Sequence, residues 1–166
     1  MTTIDPTPKL NPGPTKELSS STPYLLKRLG FAVKERSVAA FESTGLNPQH
    51  HGVLSVLEEG APETQGTIAD ALGHDRSHMV GLLDDLERRG LVERKRDAAD
   101  RRRHLVSLTP AGRKTLVELR AIMKDLEKEF LAPLDAQQRE TLHELLLELA
   151  AHHDERYADA LAAARR

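Results

Sequence analysis

Between residues 88 and 104 the run RRGLVERKRDAADRRRH sets eight Lys/Arg against three Asp/Glu, a local net charge of +5 in a chain whose formal total is −2. Guanidinium and ammonium groups at that density neutralise phosphate oxygens, so their chemistry is the gripping of a polyanion. A second set lies just upstream, where Asp75 precedes Arg76, Ser77 and His78. An arginine there offers the paired donors that match a guanine edge, while short polar groups at a helix amino end meet phosphate through backbone N–H groups. Catalysis finds no footing. Ser77, His78 and Asp84 have the residue types of a nucleophilic triad, but helix neighbours point about 100° apart and cannot form the Ser–His bond that a triad needs. No glycine-rich phosphate loop, paired-acid motif or nucleophile elbow occurs, so a non-enzyme without cofactor is expected.

Histidine raises a metal question. His74 and His78 are four apart, a spacing that ligates zinc from one helix face, and His50–His51 and His152–His153 form adjacent pairs. Adjacent imidazoles do not easily share one ion, and no carboxylate completes a familiar triad at the right spacing. No metal site is assigned, and a metal-responsive protein is kept as an alternative.

The elements that must position the basic cluster are legible around it. Leu91 and Val92 precede it and Leu105, Val106 and Leu108 follow it, the pattern of a β-hairpin with a long basic tip. Upstream, residues 64–72 put Ile68, Ala69 and Leu72 on one helical face, and residues 76–89 do the same with Met79, Leu82, Leu83 and Leu86. A short turn through Gly73 joins them, which is the sequence form of a helix-turn-helix, with Asp75 as the N-cap of the second helix. Thr64 and Thr67, at the start of the first, are candidates for phosphate contact, with helix capping as the equal alternative for Thr64. Asn47 then Pro48 start an earlier helix carrying Val53, Leu54 and Leu57 up to Gly60, and Thr109 then Pro110 repeat that signal. The order helix, short helix, helix, basic hairpin describes a winged helix, whose second paired helix enters a major groove while the hairpin reaches phosphates or the adjoining minor groove.

The run GHDRSHMVGLLDDLERRGLVERKRDAADRRRHLVSLTPAG, residues 73–112, resembles the signature region of the MarR family of bacterial transcription regulators, and the resemblance extends from about Tyr24 to the end. It implies a sequence-specific double-stranded DNA-binding regulator, a repressor in the first instance, that binds an inverted-repeat operator as a homodimer and is released by a small phenolic or anionic effector. In that family an Asp of the wing orients an Arg two residues on, which enters the minor groove; the matching positions are Asp100 and Arg102. A fixed guanidinium loses less entropy on binding, and a narrow groove deepens the negative potential it meets. Arg94, Lys95, Arg96, Arg101 and Arg103 are then expected to neutralise phosphate, with Arg76, Ser77 and His78 discriminating bases and Thr67 as a weaker candidate. Many relatives carry an arginine near the position of Gly81, so one base or phosphate contact is missing here. Tyr24, His50 and His51 are candidates to line the effector cleft. The absence of Trp and Cys disfavours the urate-responsive and peroxide-sensing modes.

The remaining apolar pattern fits pairing of two chains. Leu116, Leu119, Met123, Leu126 and Phe130 recur at intervals of three and four, Pro133 ends that helix, Asp135 caps the next, and Leu142, Leu145, Leu146 and Leu149 continue the stripe. Residues 23–45 and 110–166 thus resemble the helical dimerisation region of the family, formed by both chain ends, around a winged helix-turn-helix domain at 46–109. An intramolecular three-helix bundle is the alternative. Two-fold pairing would set the reading helices one duplex turn apart, roughly 34 Å. Five of the nine prolines fall within the first 23 residues, among few apolar groups, so residues 1–22 are expected to be a flexible tail.

The expected fold class is therefore mainly α with a small two- or three-stranded β-wing. At 166 residues one domain is the prior, and no apolar stretch approaches the roughly 20 residues that span a bilayer. The amino terminus lacks the order of a secretory signal, so a cytoplasmic protein with no membrane partner is expected. Zero Cys removes disulfides, and 3% aromatics with no Trp argue against a base-stacking single-strand binder. The competing function class is a winged-helix module that binds another protein through its basic loop.

Overall fold

The computed structural model describes residues 13–59, 63–98, 100 and 103–165. The chain separates into two units, Met1–Arg36 and Ser37–Arg166. The first contains α1 (Lys16–Ser19) and most of α2 (Thr22–Phe41). Thr15 caps α1, its Oγ1 accepting the Leu18 N–H, so part of the expected tail is a helical turn; residues 1–12 lie outside the described set. Leu25, Leu26, Leu29 and Phe31 of α2 are all exposed.

The second unit continues through α3 (Pro48–Glu59), β1 (Glu63–Thr64), α4 (Gln65–Leu72), α5 (Arg76–Arg88), β2 (Val92–Arg96), β3 (His104–Leu108), α6 (Pro110–Phe130), α7 (Ala136–His153) and α8 (Ala158–Ala164). Asn47 starts α3 by accepting the N–H groups of Gln49 and His50, both at 3.0 Å, while Pro48 has no N–H to leave unpaired. The strands form one antiparallel sheet in the order β1-β3-β2. Val92 pairs with Leu108 and Arg96 with His104, and β1 adds Glu63 opposite Val106. The wing is thus three-stranded.

One apolar core joins α3, α4, α5, the sheet and the start of α6, with Val53 and Leu54 from α3, Ile68 from α4, Leu83 and Leu86 from α5 and Val106 from β3. Leu116 and Leu119 are fully buried in this same core. The stripe read along α6 as a pairing seam therefore begins as an intramolecular contact, because the first turns of α6 cover the sheet and α3. Gly112 allows that approach, since a Cβ there would lie 2.0 Å from the Leu91 carbonyl oxygen. Thr109 caps α6 and ties it to the same place, its N–H donating to Leu91 O at 3.1 Å.

Helix α7 is built differently. Asp135 and Gln138 form a capping box at its start, yet none of its residues is buried. Leu145, Leu146 and Leu149 all remain exposed. Asp154 interrupts the helix before α8, a break that the sequence pattern did not single out. Among the described residues no helix is long and apolar enough to cross a membrane.

Candidate nucleic-acid interface

The pairing of α4 with α5 depends on a turn that only glycine fits well. Gly73 sits at φ +64°, where an L side chain is strained, and the His74 N–H closes the end of α4 by donating to Ala69 O at 2.9 Å. Arg156 occupies the space that a Cβ would need, 2.6 Å from it, and donates through Nη1 to Asp70 O at 2.8 Å. Gln65 Nε2 then reaches the Arg76 carbonyl at 3.3 Å, joining the two helix starts.

Asp75 caps α5 by accepting the His78 N–H at 2.8 Å and the Ser77 hydroxyl at 2.7 Å. Those two bonds, the backbone one first, hold its carboxyl below the usual carboxylate range, so the cap stays ionised. Met79, Leu82, Leu83 and Leu86 anchor α5 in the core while Arg76, Ser77 and His78 are exposed. The expected orientation of this trio holds: all three project from the amino end of a helix whose other face is buried. The His78 ring meets His74 edge-on at 5.3 Å. Among the described residues no group of three or more His, Cys, Asp or Glu is arranged to hold a metal ion.

The wing departs from expectation. Arg94 is not directed outward: its Nη1 lies 2.6 Å from Asp84 Oδ1 and 2.8 Å from Glu87 Oε2, and the side chain is only 21% exposed. It ties β2 to α5, a positioning contact beside the phosphate contact expected of it. Lys95 Nζ pairs with Glu93 at 2.6 Å, and Arg88 and Arg89 both pair with Asp85. The cluster of eight cations is therefore partly neutralised by acids of its own surroundings. Arg96 and Arg103 are exposed. Arg101 and Arg102 lie outside the described residues. Asp100 is half-buried, and its carbonyl accepts the Arg103 N–H at 2.9 Å, while Asp97 N–H donates to Arg103 O at 3.0 Å and closes the hairpin.

Thr67 also departs. Its Oγ1 lies 2.7 Å from Glu63 Oε2 and 2.8 Å from Thr64 O, so its one proton is engaged locally beside a carboxylate that repels phosphate. Thr64 takes the capping role, accepting the Thr67 N–H.

The proposed cleft residues divide as well. His50 is 6% exposed; its Nδ1 accepts the Asn47 N–H at 3.2 Å, and Nε2 faces Asp85 Oδ2 at 3.4 Å. It links α3 to α5 from inside and offers no open surface to an effector. Burial lowers its pKa, against the opposing pull of Asp85 and with some help from Arg89. Asp85 is itself held low, chiefly by its bond from Arg89. His51 is half-buried, edge-on to Phe41 at 6.1 Å, and is also lowered by burial and by the nearby Arg120. Tyr24 is half-buried on α2 in the first unit.

The acidic residues of α5 were missed from sequence. The i to i+3 and i+4 spacing of Asp85 to Arg88 and Arg89 was a usable signal. Nothing local pointed to Asp84 and Glu87 as the partners of Arg94.

A family model described as MarR family matches residues 44–103. A transcriptional regulatory protein assigned to the hcr operon of Thauera aromatica is 31% identical over 129 residues, covering 73% of this chain and 78% of that one. The solved structure of the transcriptional repressor CouR bound to a 23-mer DNA duplex is 34% identical, with a TM-score of 0.76 over 81% of this chain and 96% of that one. CouR from Rhodococcus jostii RHA1 bound to p-coumaroyl-CoA superposes with a TM-score of 0.70 at 31% identity, covering 82% and 96%.

Proposed function

The chain belongs to the MarR family of winged-helix transcriptional regulators, and we propose that it represses by holding an inverted-repeat operator as a homodimer, with α5 in the major groove and the hairpin tip on the backbone and minor groove. The observation that carries this is the arrangement on α5. Its apolar side is spent inside the core, its outward amino end presents Arg76, Ser77 and His78, and Arg94 fastens the basic hairpin to the same helix. Arg76 supplies base discrimination, Arg96, Arg101 and Arg103 supply salt-sensitive phosphate contacts, and Arg102, oriented by Asp100, reads groove shape.

Pairing of two chains is supported by the exposed apolar residues of α7, and residues 23–45 with 110–166 are assigned to it, around a DNA-binding domain at 46–109. The effector is proposed to be a small phenolic or anionic molecule, in keeping with the ligand bound by CouR. It would act only to the extent that it prefers one spacing of the two reading helices. The protein is read as a non-catalytic regulator of the cytoplasm.

The test is a gel shift with random duplex at low salt, followed by selection of bound sequences. Arg102→Ala should weaken binding across most sequences and reduce the salt slope by about one contact, whereas Arg76→Ala should relax preference at one or two base pairs. A salt titration unchanged by Arg102→Ala would overturn the wing assignment. No shift of any duplex would favour the protein-binding module.

A further inference from the structure

Two neighbours on α5 have no explanation in the fold that surrounds them. Ser77, Val80, Gly81 and Asp84 follow the i, i+3, i+4, i+7 spacing of a single helix face, and all four are exposed. Val80 is 40% exposed and, among the described residues of the 46–109 region, is the large apolar side chain left in solvent. Gly81 lies in the interior of a 13-residue helix, where glycine weakens the helix relative to alanine, and a Cβ added there would meet nothing within 4 Å. Packing within the chain therefore calls for neither residue. A surface that approaches this face closely calls for both.

We infer that Val80 and Gly81 are the specificity-determining centre of the reading helix, with Val80 packed on the 5-methyl group of a thymine and Gly81 letting the helix backbone come close to the base edges. This deepens the operator-binding function proposed above and rests on it. The thymine methyl is the apolar feature of the major groove, while the other base edges there offer donors and acceptors that a valine cannot satisfy. Setting an isopropyl group on those polar edges would strip them of water without return. The ends of the stripe are suited to the same surface. Ser77 keeps oxygen lone pairs for a base donor while its proton is held by Asp75, and Asp84 shares the Arg94 guanidinium with Glu87, which draws its carboxylate toward β2. Each half-site of the operator should thus contain one thymine recognised by its methyl group, flanked on the amino-terminal side of α5 by the position that Arg76 reads.

The experiment uses the full-length protein and a duplex selected from a randomised pool. Each thymine of that duplex is replaced in turn by deoxyuridine, which removes the methyl and leaves every hydrogen-bonding group in place. Wild type should lose about fourfold in affinity at one thymine per half-site, the worth of one buried methyl, and Val80→Ala should bind the thymine and uracil duplexes equally at that position. Gly81→Ala should raise the melting temperature by about 2–4 °C yet weaken binding to the same duplex, a combination that a purely structural glycine would not give. If wild type enriches a duplex but uracil replacement costs it nothing, or costs Val80→Ala as much, the thymine assignment is wrong while operator binding stands. If no duplex is enriched, the operator-binding function itself fails and takes this assignment with it.

Discussion

Helices α5 and α7 both carry leucines at intervals of three and four, and they end in opposite situations. In α5 four apolar residues are buried against the chain's own core, and the remaining face, which carries Val80 and Gly81 among polar residues, is open. In α7 no residue is buried, and Leu145, Leu146 and Leu149 stay in solvent. The difference separates two uses of a helix. The first is rigidly seated so that its outer face can read a partner of different chemistry. The second leaves apolar side chains in solvent, which fits the pairing of two chains proposed above.

The most damaging way to break the contrast is Leu83→Ala. This side chain is fully buried, and its removal should cost about 2–5 kcal/mol of unfolding free energy at any protein concentration, measured by urea denaturation. Leu146→Glu should behave otherwise. Its effect on the folded single chain should stay within about 0.5 kcal/mol, because the residue is exposed, but it should shift self-association by tenfold or more in sedimentation, about 1.4 kcal/mol or above. A stability loss as large as that of Leu83→Ala, independent of concentration, would return α7 to an intramolecular bundle.

The smallest effect sharpens how α5 is seated. His50 has a pKa below its ordinary 6.5, so as pH falls through that value the unfolded chain takes up the proton first and stability declines; above it this residue contributes no pH dependence. Protonation on Nδ1 would also end the bond from Asn47 N–H. The melting temperature should therefore be flat in this respect above neutrality and fall in mild acid, and His50→Gln should flatten part of that fall. His51, lowered by burial as well, should account for a share that remains. An unchanged profile in His50→Gln would remove His50 from the account of the α3–α5 junction.

Much of the site was legible because its signals are local. Asp75 caps whatever helix follows it, Gly73 stops the one before it, and the 3.6-residue period sends Met79 and Leu83 inward and Arg76 and Ser77 outward whatever else the chain does. The basic hairpin was legible for the same reason, since short apolar runs flank it. The surroundings of Arg94 and His50 were not legible because their partners come from other elements, Asp84 and Glu87 across the junction of β2 with α5 and Asp85 from α5 against α3, whereas Thr67 bonds Glu63 only four residues before it. Leu116 and Leu119 were misread because periodicity reports that a face is apolar but not what covers it.

The amino-acid sequence by itself determined the helix, short helix, helix, hairpin order, the caps and turns within it and the excess of cations, since these depend on backbone preference and on residues a few positions apart. Only the tertiary structure decided which cations are already paired, which histidine is sealed inside, and which apolar stripe is left without a cover. Those outcomes depend on distances between separate elements, where a carboxylate at 2.6 Å makes an arginine a fastening and its absence leaves one available for phosphate.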